Sequence, residues 1–183
     1  STSLGANSVA GSTSQTNDNE NTNVAFHTSG IHQGLSCSGQ VFTSSATLFG
    51  KTVTSFDMDL RRNGSETGTL QMGVFDGNLD GTNDCDALTV FRTIDVSTLP
   101  TSYASYSSGT GSHTIADGDL VGIKWLTGGT GSEVKYASQN TDDYESTNSY
   151  NQEMGYAMDG RNSATSNRDA KFTINYAEQS PYT

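Results

Sequence analysis

Basic residues are scarce in this 183-residue chain, which has nine lysines and arginines against twenty aspartates and glutamates. The formal net charge is therefore −11 at neutral pH. Proteins that bind DNA, RNA or anionic membranes need basic surface to neutralise phosphates, so the charge argues against these partners. Because bound cations relieve the self-repulsion of an acidic chain, cations and neutral polar surfaces are the expected partners.

Long apolar runs are also absent, and helix-forming residues are scarce. No run approaches the ~20 apolar residues of a membrane span, and no stretch has a helical period. Apolar residues make up only 32% of the chain, and Ser, Thr, Asn and Gly dominate the rest. Eight Tyr, seven Phe and one Trp are nevertheless present, and many alternate with polar residues, unlike in disordered segments. The sequence therefore predicts a folded all-β protein with a thin core.

The sequence has no familiar catalytic motif. It contains no G-x-S-x-G elbow, no H-E-x-x-H pair, no P-loop and no dinucleotide fingerprint. Its acids lie mainly in turns beside Gly and Asn, where water would keep a carboxyl pKa too low for general-acid catalysis. We therefore expect a protein that is not an enzyme.

Only two cysteines are present, Cys37 and Cys85. They could form a disulfide, which would imply an oxidising compartment, or remain two buried thiols. A disulfide would stabilise the fold by roughly 4 kcal/mol in the chain-entropy model. The chain begins with Ser, which fits a mature protein whose leader was removed and fits an expression product equally well. Together these features predict a secreted protein, extracellular or at the cell surface.

Residues 1–22 form a polar extension of low complexity, with only Asp18 and Glu20 charged. Alone, such a segment would be disordered. An ordered one either runs along its own domain or donates a strand to the open sheet edge of a neighbouring subunit. Residues 23–183 are predicted to form the folded β-domain.

Ten short segments of this domain have strand character. Alternation is clearest where Phe56, Met58 and Leu60 share one face, and Asn63-Gly64 then predicts a hairpin turn. The segments are residues 24–27, 40–49, 52–61, 69–75, 88–95, 112–115, 120–126, 133–138, 153–158 and 171–176. Roughly nine or ten strands with regular turns indicate an antiparallel sandwich or barrel.

Three segments carry a family resemblance: residues 56–61 (FDMDLR), 68–76 (GTLQMGVFD) and 116–123 (ADGDLVGI). Over residues 55–136 the chain resembles jelly-roll β-sandwich domains of secreted and surface proteins in bacteria, archaea and their viruses. The resemblance implies an antiparallel, jelly-roll-like β-sandwich. It also implies a role like that of carbohydrate-binding modules, adhesins, or filament and shell subunits.

The sharpest local motif is residues 76–81 (DGNLDG), which match the opening of a calcium loop, D-x-[DN]-x-[DN]-G. Calcium takes six to eight oxygen ligands, and alternate residues of a tight loop can turn their oxygens inward. Position twelve is Ala87 rather than Glu, so the loop is not an EF-hand. The predicted ligands are Asp76, Asn78, Asp80, Asp84 and Asp86. The alternative is a solvated acidic turn.

Tyr144 and Tyr150 are expected in polar loops and are candidates for stacking on sugar rings, whereas Trp125 alternates with apolar residues and is expected in the core. The sequence thus predicts an extracellular calcium-binding structural protein, a homo-oligomer or polymer that builds a filament, tube or surface assembly. The alternative is a calcium-stabilised carbohydrate-binding or adhesive module that recognises a polysaccharide.

Overall fold

The chain folds into β-strands in a computed structural model, which describes residues 8–25, 37–78, 80, 82–127, 133–157, 160–164 and 168–179. The all-β prediction is confirmed. The strands are β1 (Ser8–Gln15), β2 (Glu20–Ala25), β3 (Cys37–Phe42), β4 (Thr52–Arg62), β5 (Thr69–Asp76), β6 (Ala87–Asp95), β7 (Ala104–Ser107), β8 (His113–Thr114), β9 (Asp119–Thr127), β10 (Glu133–Gln139), β11 (Ser149–Ala157), β12 (Gly160–Ala164), β13 (Asp169–Ala170) and β14 (Phe172–Gln179).

These strands form two antiparallel sheets. The larger sheet has the order β1-β14-β4-β10-β13, with β2 beside β10 and with β7 and β8 beside β4. The smaller sheet has the order β12-β11-β3-β9-β5-β6. Two antiparallel sheets of this kind are consistent with a β-sandwich, although the chain is divided into more strands than the sequence pattern predicted.

The main core takes alternate residues from strands of both sheets. The alternation predicted for β4 is correct, since Phe56, Met58 and Leu60 are all buried. They share one cluster with Leu70, Met72 and Val74 of β5, Val121, Ile123 and Trp125 of β9, and Phe172 and Ile174 of β14. Each such side chain contributes about 1.5–3 kcal/mol by leaving water, so even a chain poor in apolar residues gains substantial stability from this cluster.

Two sequence predictions, one about a hairpin turn and one about the end of a strand, are wrong. Asn63-Gly64 does not close a hairpin, because β4 lies in the larger sheet and β5 in the smaller one. The six residues between these strands carry the chain from one sheet to the other, and the buried Glu66 accepts a 2.6 Å hydrogen bond from the Gly64 N–H there. The strand predicted over residues 40–49 ends at Phe42, and turns follow it as far as Gly50.

The N-terminal segment lies along its own domain. β1 pairs with β14, and β2 pairs with β10, so the predicted domain boundary at residues 22 and 23 falls inside a strand. Between these strands Asn17 donates to the Gln139 side chain at 3.0 Å, and Asp18 forms a 3.0 Å ion pair with Lys171. Residues 1–7 and the predicted strand end at residues 26–27 lie outside the described residues. Donation of the segment to another subunit stays a prediction.

Candidate functional site

The acidic loop of residues 77–86 joins β5 to β6, with the predicted ligands Asp76 and Asp86 at its two ends. At its base the Asp76 N–H donates to the Asp86 carbonyl, and the Cys85 N–H donates to the Asp76 carbonyl, both at 2.9 Å. Gly77 lies against the apolar side chains of Leu120 and Val41, where an added Cβ would come within 3.1 and 3.3 Å of them. The loop is therefore fastened to the sheet at its beginning and at its end.

A disulfide between Cys37 and Cys85 fixes the far end of the loop, with 5.6 Å between the Cα atoms. The predicted cysteine pairing is therefore confirmed. Both cysteines belong to a second, smaller apolar cluster, which contains Val41, Phe75, Leu120 and Met154. Cys85 and Asn83, two residues before it, adopt left-handed backbone conformations, with φ of 60° and 58°. Such a conformation is uncommon for residues other than glycine, and the disulfide helps to hold the chain there.

Of the first three predicted ligands, Asp76 is the half-buried last residue of β5, and Asn78 and Asp80 are exposed in the loop. Asp76 Oδ1 accepts the Asn78 N–H at 2.9 Å, and Asp80 Oδ1 accepts the Thr82 N–H at 2.8 Å. Each contact is an Asx turn, in which the side chain accepts from the backbone two residues on. One carboxylate oxygen of each residue is thereby held in place before any cation binds.

The last two predicted ligands lie near the disulfide. Asp84 is buried and Asp86 is exposed. Within the described residues, no three acidic, histidine or cysteine side chains come together in a group able to hold a metal ion. Leu79 and Gly81 of the same loop lie outside the described residues. Calcium binding therefore stays a prediction.

A lysine ammonium occupies the disulfide end of the loop. Lys124 is only 8% exposed, and its Nζ donates a 2.7 Å hydrogen bond to the Cys85 carbonyl. Burial lowers the pKa of Lys124, while the charge of Asp86 acts in the opposite direction. No local motif in the sequence marks Lys124 as a cation at this loop, because strand pairing brings it to Cys85 from 39 residues away along the chain.

Both predicted sugar-contact tyrosines are partly buried. The Tyr144 and Phe172 rings pack in a T-shaped arrangement with 5.0 Å between their centroids, and the Tyr144 hydroxyl is 2.5 Å from Thr13 Oγ1. Burial raises the pKa of Tyr144 to about 12. Tyr150 is not in a loop as predicted but on β11, opposite Val41 of β3. It packs against the smaller apolar cluster, and burial raises its pKa too. In this structure the two rings pack on the body of the domain, and Tyr144 also ties β1 to it.

A cleft of about 220 Å³ opens on the larger sheet, where its lining includes Gln15, Asp57, Asp59, Ser105 and Lys171. The Lys171 ammonium lies between two carboxylates, 2.7 Å from Asp59 and 3.0 Å from Asp18. These hydrogen bonds raise the pKa of Lys171. The cleft thus carries both acidic and basic hydrogen-bonding groups. The alternation in β4 predicts the positions of Asp57 and Asp59 but gives no sign that Lys171 lies beside them.

A buried carboxylate, missed by the sequence analysis, joins the two sheets. Asp169 is fully buried and accepts four hydrogen bonds, from the side chains of Gln40 and Gln139 and from the N–H groups of Asp143 and Tyr144, at 2.8–3.1 Å. Four donors satisfy a buried carboxylate without a cation. Its charge also acts on Asp142. The pKa of Asp142 is raised to about 6 by burial and by the charges of Asp169 and Asp143.

A row of three hydrogen-bonded side chains, which the sequence did not reveal, consists of a threonine, a histidine and an aspartate. His113 lies 2.7 Å from Thr89 Oγ1 through Nδ1 and 2.7 Å from Asp119 Oδ2 through Nε2. Asp119 also accepts the Ala116 N–H at 2.9 Å. Hydrolases use a similar row of hydroxyl, imidazole and carboxylate, together with a site for a developing oxyanion. Here the row connects β6, β8 and β9, and we interpret it as a structural tie.

The chain matches no protein-family model, no curated protein and no solved structure. In the described part of the chain, no helix is long and apolar enough to span a membrane.

Proposed function

We propose that this chain is an extracellular calcium-binding structural protein, a subunit of a filament, tube or surface assembly with a jelly-roll-like fold. The observation that carries the proposal is the acidic loop between β5 and β6. Its side chains Asp76 and Asp80 are already turned by backbone hydrogen bonds, and its far end is fixed by the Cys37–Cys85 disulfide. A loop that is ordered in advance loses less entropy when it captures a cation.

Charge and compartment support the same proposal. Disulfides persist in oxidising environments such as the cell exterior, where calcium is abundant enough for weak sites. Copies of a chain with net charge −11 repel one another, and a divalent cation bound at the surface reduces that repulsion. Calcium would therefore act both on the stability of each subunit and on the contact between subunits.

The test is sedimentation velocity with electron microscopy, in calcium and in excess chelator. The proposal predicts large ordered assemblies in calcium and monomers or small oligomers in chelator. Magnesium is the matched control ion, since it prefers a rigid octahedral shell and keeps its water. Equal particle sizes in calcium and in chelator would contradict the proposal.

A second candidate function, a carbohydrate-binding or adhesive module, is favoured by the cleft on the larger sheet. Asp57, Asp59 and Lys171 offer acceptors and donors to hydroxyl groups there. Affinity electrophoresis on neutral polysaccharides tests this candidate. Retardation that is lost in Asp57→Ala and kept in Tyr150→Ala would support the cleft. Retardation lost only in Tyr150→Ala would instead support the site predicted from sequence.

A further inference from the structure

Exposed apolar side chains are concentrated on two strands. Among the described residues, four large apolar side chains are exposed: Val9 (48%), Phe49 (44%), Leu88 (47%) and Val90 (40%). Val9 lies on β1, and Leu88 and Val90 lie on β6. Scattered apolar residues on a surface need no explanation, but three of these four lie on strands that end a sheet.

Both strands are sheet edges. In the described residues β1 pairs only with β14, and β6 pairs only with β5. The outer backbone groups of an edge strand are a template for another strand, and natural proteins usually protect them with lysine, proline or strong bulges. β1 and β6 contain neither lysine nor proline. The β5–β6 pairing has two register irregularities, yet Leu88 and Val90 stay exposed.

The charge of the two edges favours contact between them. β1 carries no charged residue, and residues 87–94 of β6 carry only Arg92. Elsewhere the net charge of −11 opposes the approach of two copies. A contact between β1 and this part of β6 brings no two acidic side chains together within the paired strands.

We propose that the β1 edge of one copy pairs with the β6 edge of the next copy, with Val9 covering Leu88 or Val90. The two edges differ, so the contact is heterologous and repeats along an open chain of subunits. Backbone hydrogen bonds supply the attachment, and the apolar side chains set where it forms. This inference rests on the proposed assembly function and names the surface through which assembly occurs.

The test uses one lysine variant for each edge, Val9→Lys and Val90→Lys. Val9 lies opposite Glu178 on β14, so a lysine there gains a cross-strand partner and keeps β1 docked. Phe49→Lys is the matched control, because Phe49 is equally exposed but lies in a turn. Assembly in calcium is followed by light scattering and sedimentation velocity. Each edge variant should raise the concentration needed for assembly about tenfold or more, and Phe49→Lys should leave it unchanged.

Mixing the two edge variants gives the sharpest result. Val9→Lys retains an intact β6 edge and Val90→Lys retains an intact β1 edge, so an equimolar mixture should form a one-to-one heterodimer that does not grow. A Val9→Lys protein that still dimerises alone would overturn the proposal in favour of symmetric β6–β6 pairing. Assembly of Val90→Lys at the wild-type concentration would also overturn it.

A disulfide staple separates edge pairing from exchange of the whole strand. Ser12 and Asn175 are directly opposite each other on β1 and β14, so Ser12→Cys with Asn175→Cys should lock β1 onto its own domain. Edge pairing predicts that the stapled protein still assembles. Loss of assembly in the stapled protein, while the unstapled Ser12→Ala, Asn175→Ala protein still assembles, would overturn edge pairing in favour of strand exchange. If the wild-type protein itself stays monomeric in calcium, the proposed assembly function fails. That result differs from the outcomes named for the edge variants and the stapled protein, in which the wild type assembles.

Discussion

The Lys124 ammonium donates a 2.7 Å hydrogen bond to the Cys85 carbonyl, directly beside the disulfide that holds the acidic loop. Replacing this lysine by methionine removes the cation and leaves the carbonyl without its donor. We expect Lys124→Met to lower the free energy of unfolding by about 1–3 kcal/mol, measured by urea denaturation. Lys51→Met is the control, since Lys51 makes a 3.5 Å pair with the exposed Glu178 and lies over the Tyr176 ring but donates to no buried carbonyl, and its loss should cost about 1 kcal/mol or less. Equal losses in both variants would contradict the role given to Lys124.

The disulfide should contribute strongly to stability. Cys37 and Cys85 are 48 residues apart, and constraint of a loop of that length in the unfolded chain is worth about 2–4 kcal/mol. The double variant Cys37→Ala, Cys85→Ala should lose that much and should bind calcium more weakly, because the loop end is no longer fixed. Calorimetric unfolding with and without calcium measures both effects. An unchanged calcium-induced rise in Tm would show that the disulfide does not organise the site.

The row through His113 should behave as a structural tie. His113→Ala removes both 2.7 Å contacts, to Thr89 and to Asp119, and leaves a largely buried carboxylate with fewer partners. We expect a loss of about 1–3 kcal/mol in unfolding free energy. Thr89→Val, which removes only the hydroxyl end of the row, should cost less. If His113→Ala instead left stability unchanged, the row would need a different explanation.

Asp142 should make stability depend on pH in the acidic range. Its pKa is raised from 3.8 to about 6 in the folded protein, so the folded state binds an additional proton between these values. The resulting stabilisation is fully present below pH 3.8 and is lost as the pH rises through about 6. Asp142→Asn should therefore flatten this part of the profile. At pH 7 it should raise the unfolding free energy by about 1 kcal/mol, a figure reduced for solvent screening of a partly exposed group. Urea unfolding at four pH values checks this, and parallel profiles for the two proteins would contradict it.

Much of the fold could be predicted from local patterns. The alternation of Phe56, Met58 and Leu60 correctly identified the buried face of β4, because side chains on a strand point to opposite faces in turn. The pairing of Cys37 with Cys85 was also predicted, since the chain has only two cysteines. The turn at Asn63-Gly64 was misread because its residues favour a tight bend whether the next strand joins the same sheet or the opposite one.

The site could be predicted only in part, because it depends on contacts between distant residues. The motif at residues 76–81 is local and visible in the sequence. The position of Lys124 beside Cys85 depends on β9 lying between β3 and β5, and the four donors around Asp169 come from residue 40 and from residues 139–144, which are far apart in the chain. A single sequence contains no signal for these contacts between distant residues. The polar neighbours of Tyr144 predict a surface ring, but Thr13 and Phe172 contact it from elsewhere in the chain.

The most direct test of the account is a calcium titration by isothermal calorimetry of the wild-type protein and of Asp76→Asn, Asp80→Asn. Asparagine can keep both Asx turns while removing two charges from the loop. Asp95→Asn is the matched control, because Asp95 accepts the Ser97 N–H in the same two-residue contact, at 2.9 Å, at the other end of β6. We expect saturable binding to the wild type and to the control, with about 2.7 kcal/mol of added stability at a calcium concentration one hundred times Kd, and no binding at this site in the double variant. Absence of calcium binding to the wild-type protein, or equal binding to the double variant, would contradict the central claim.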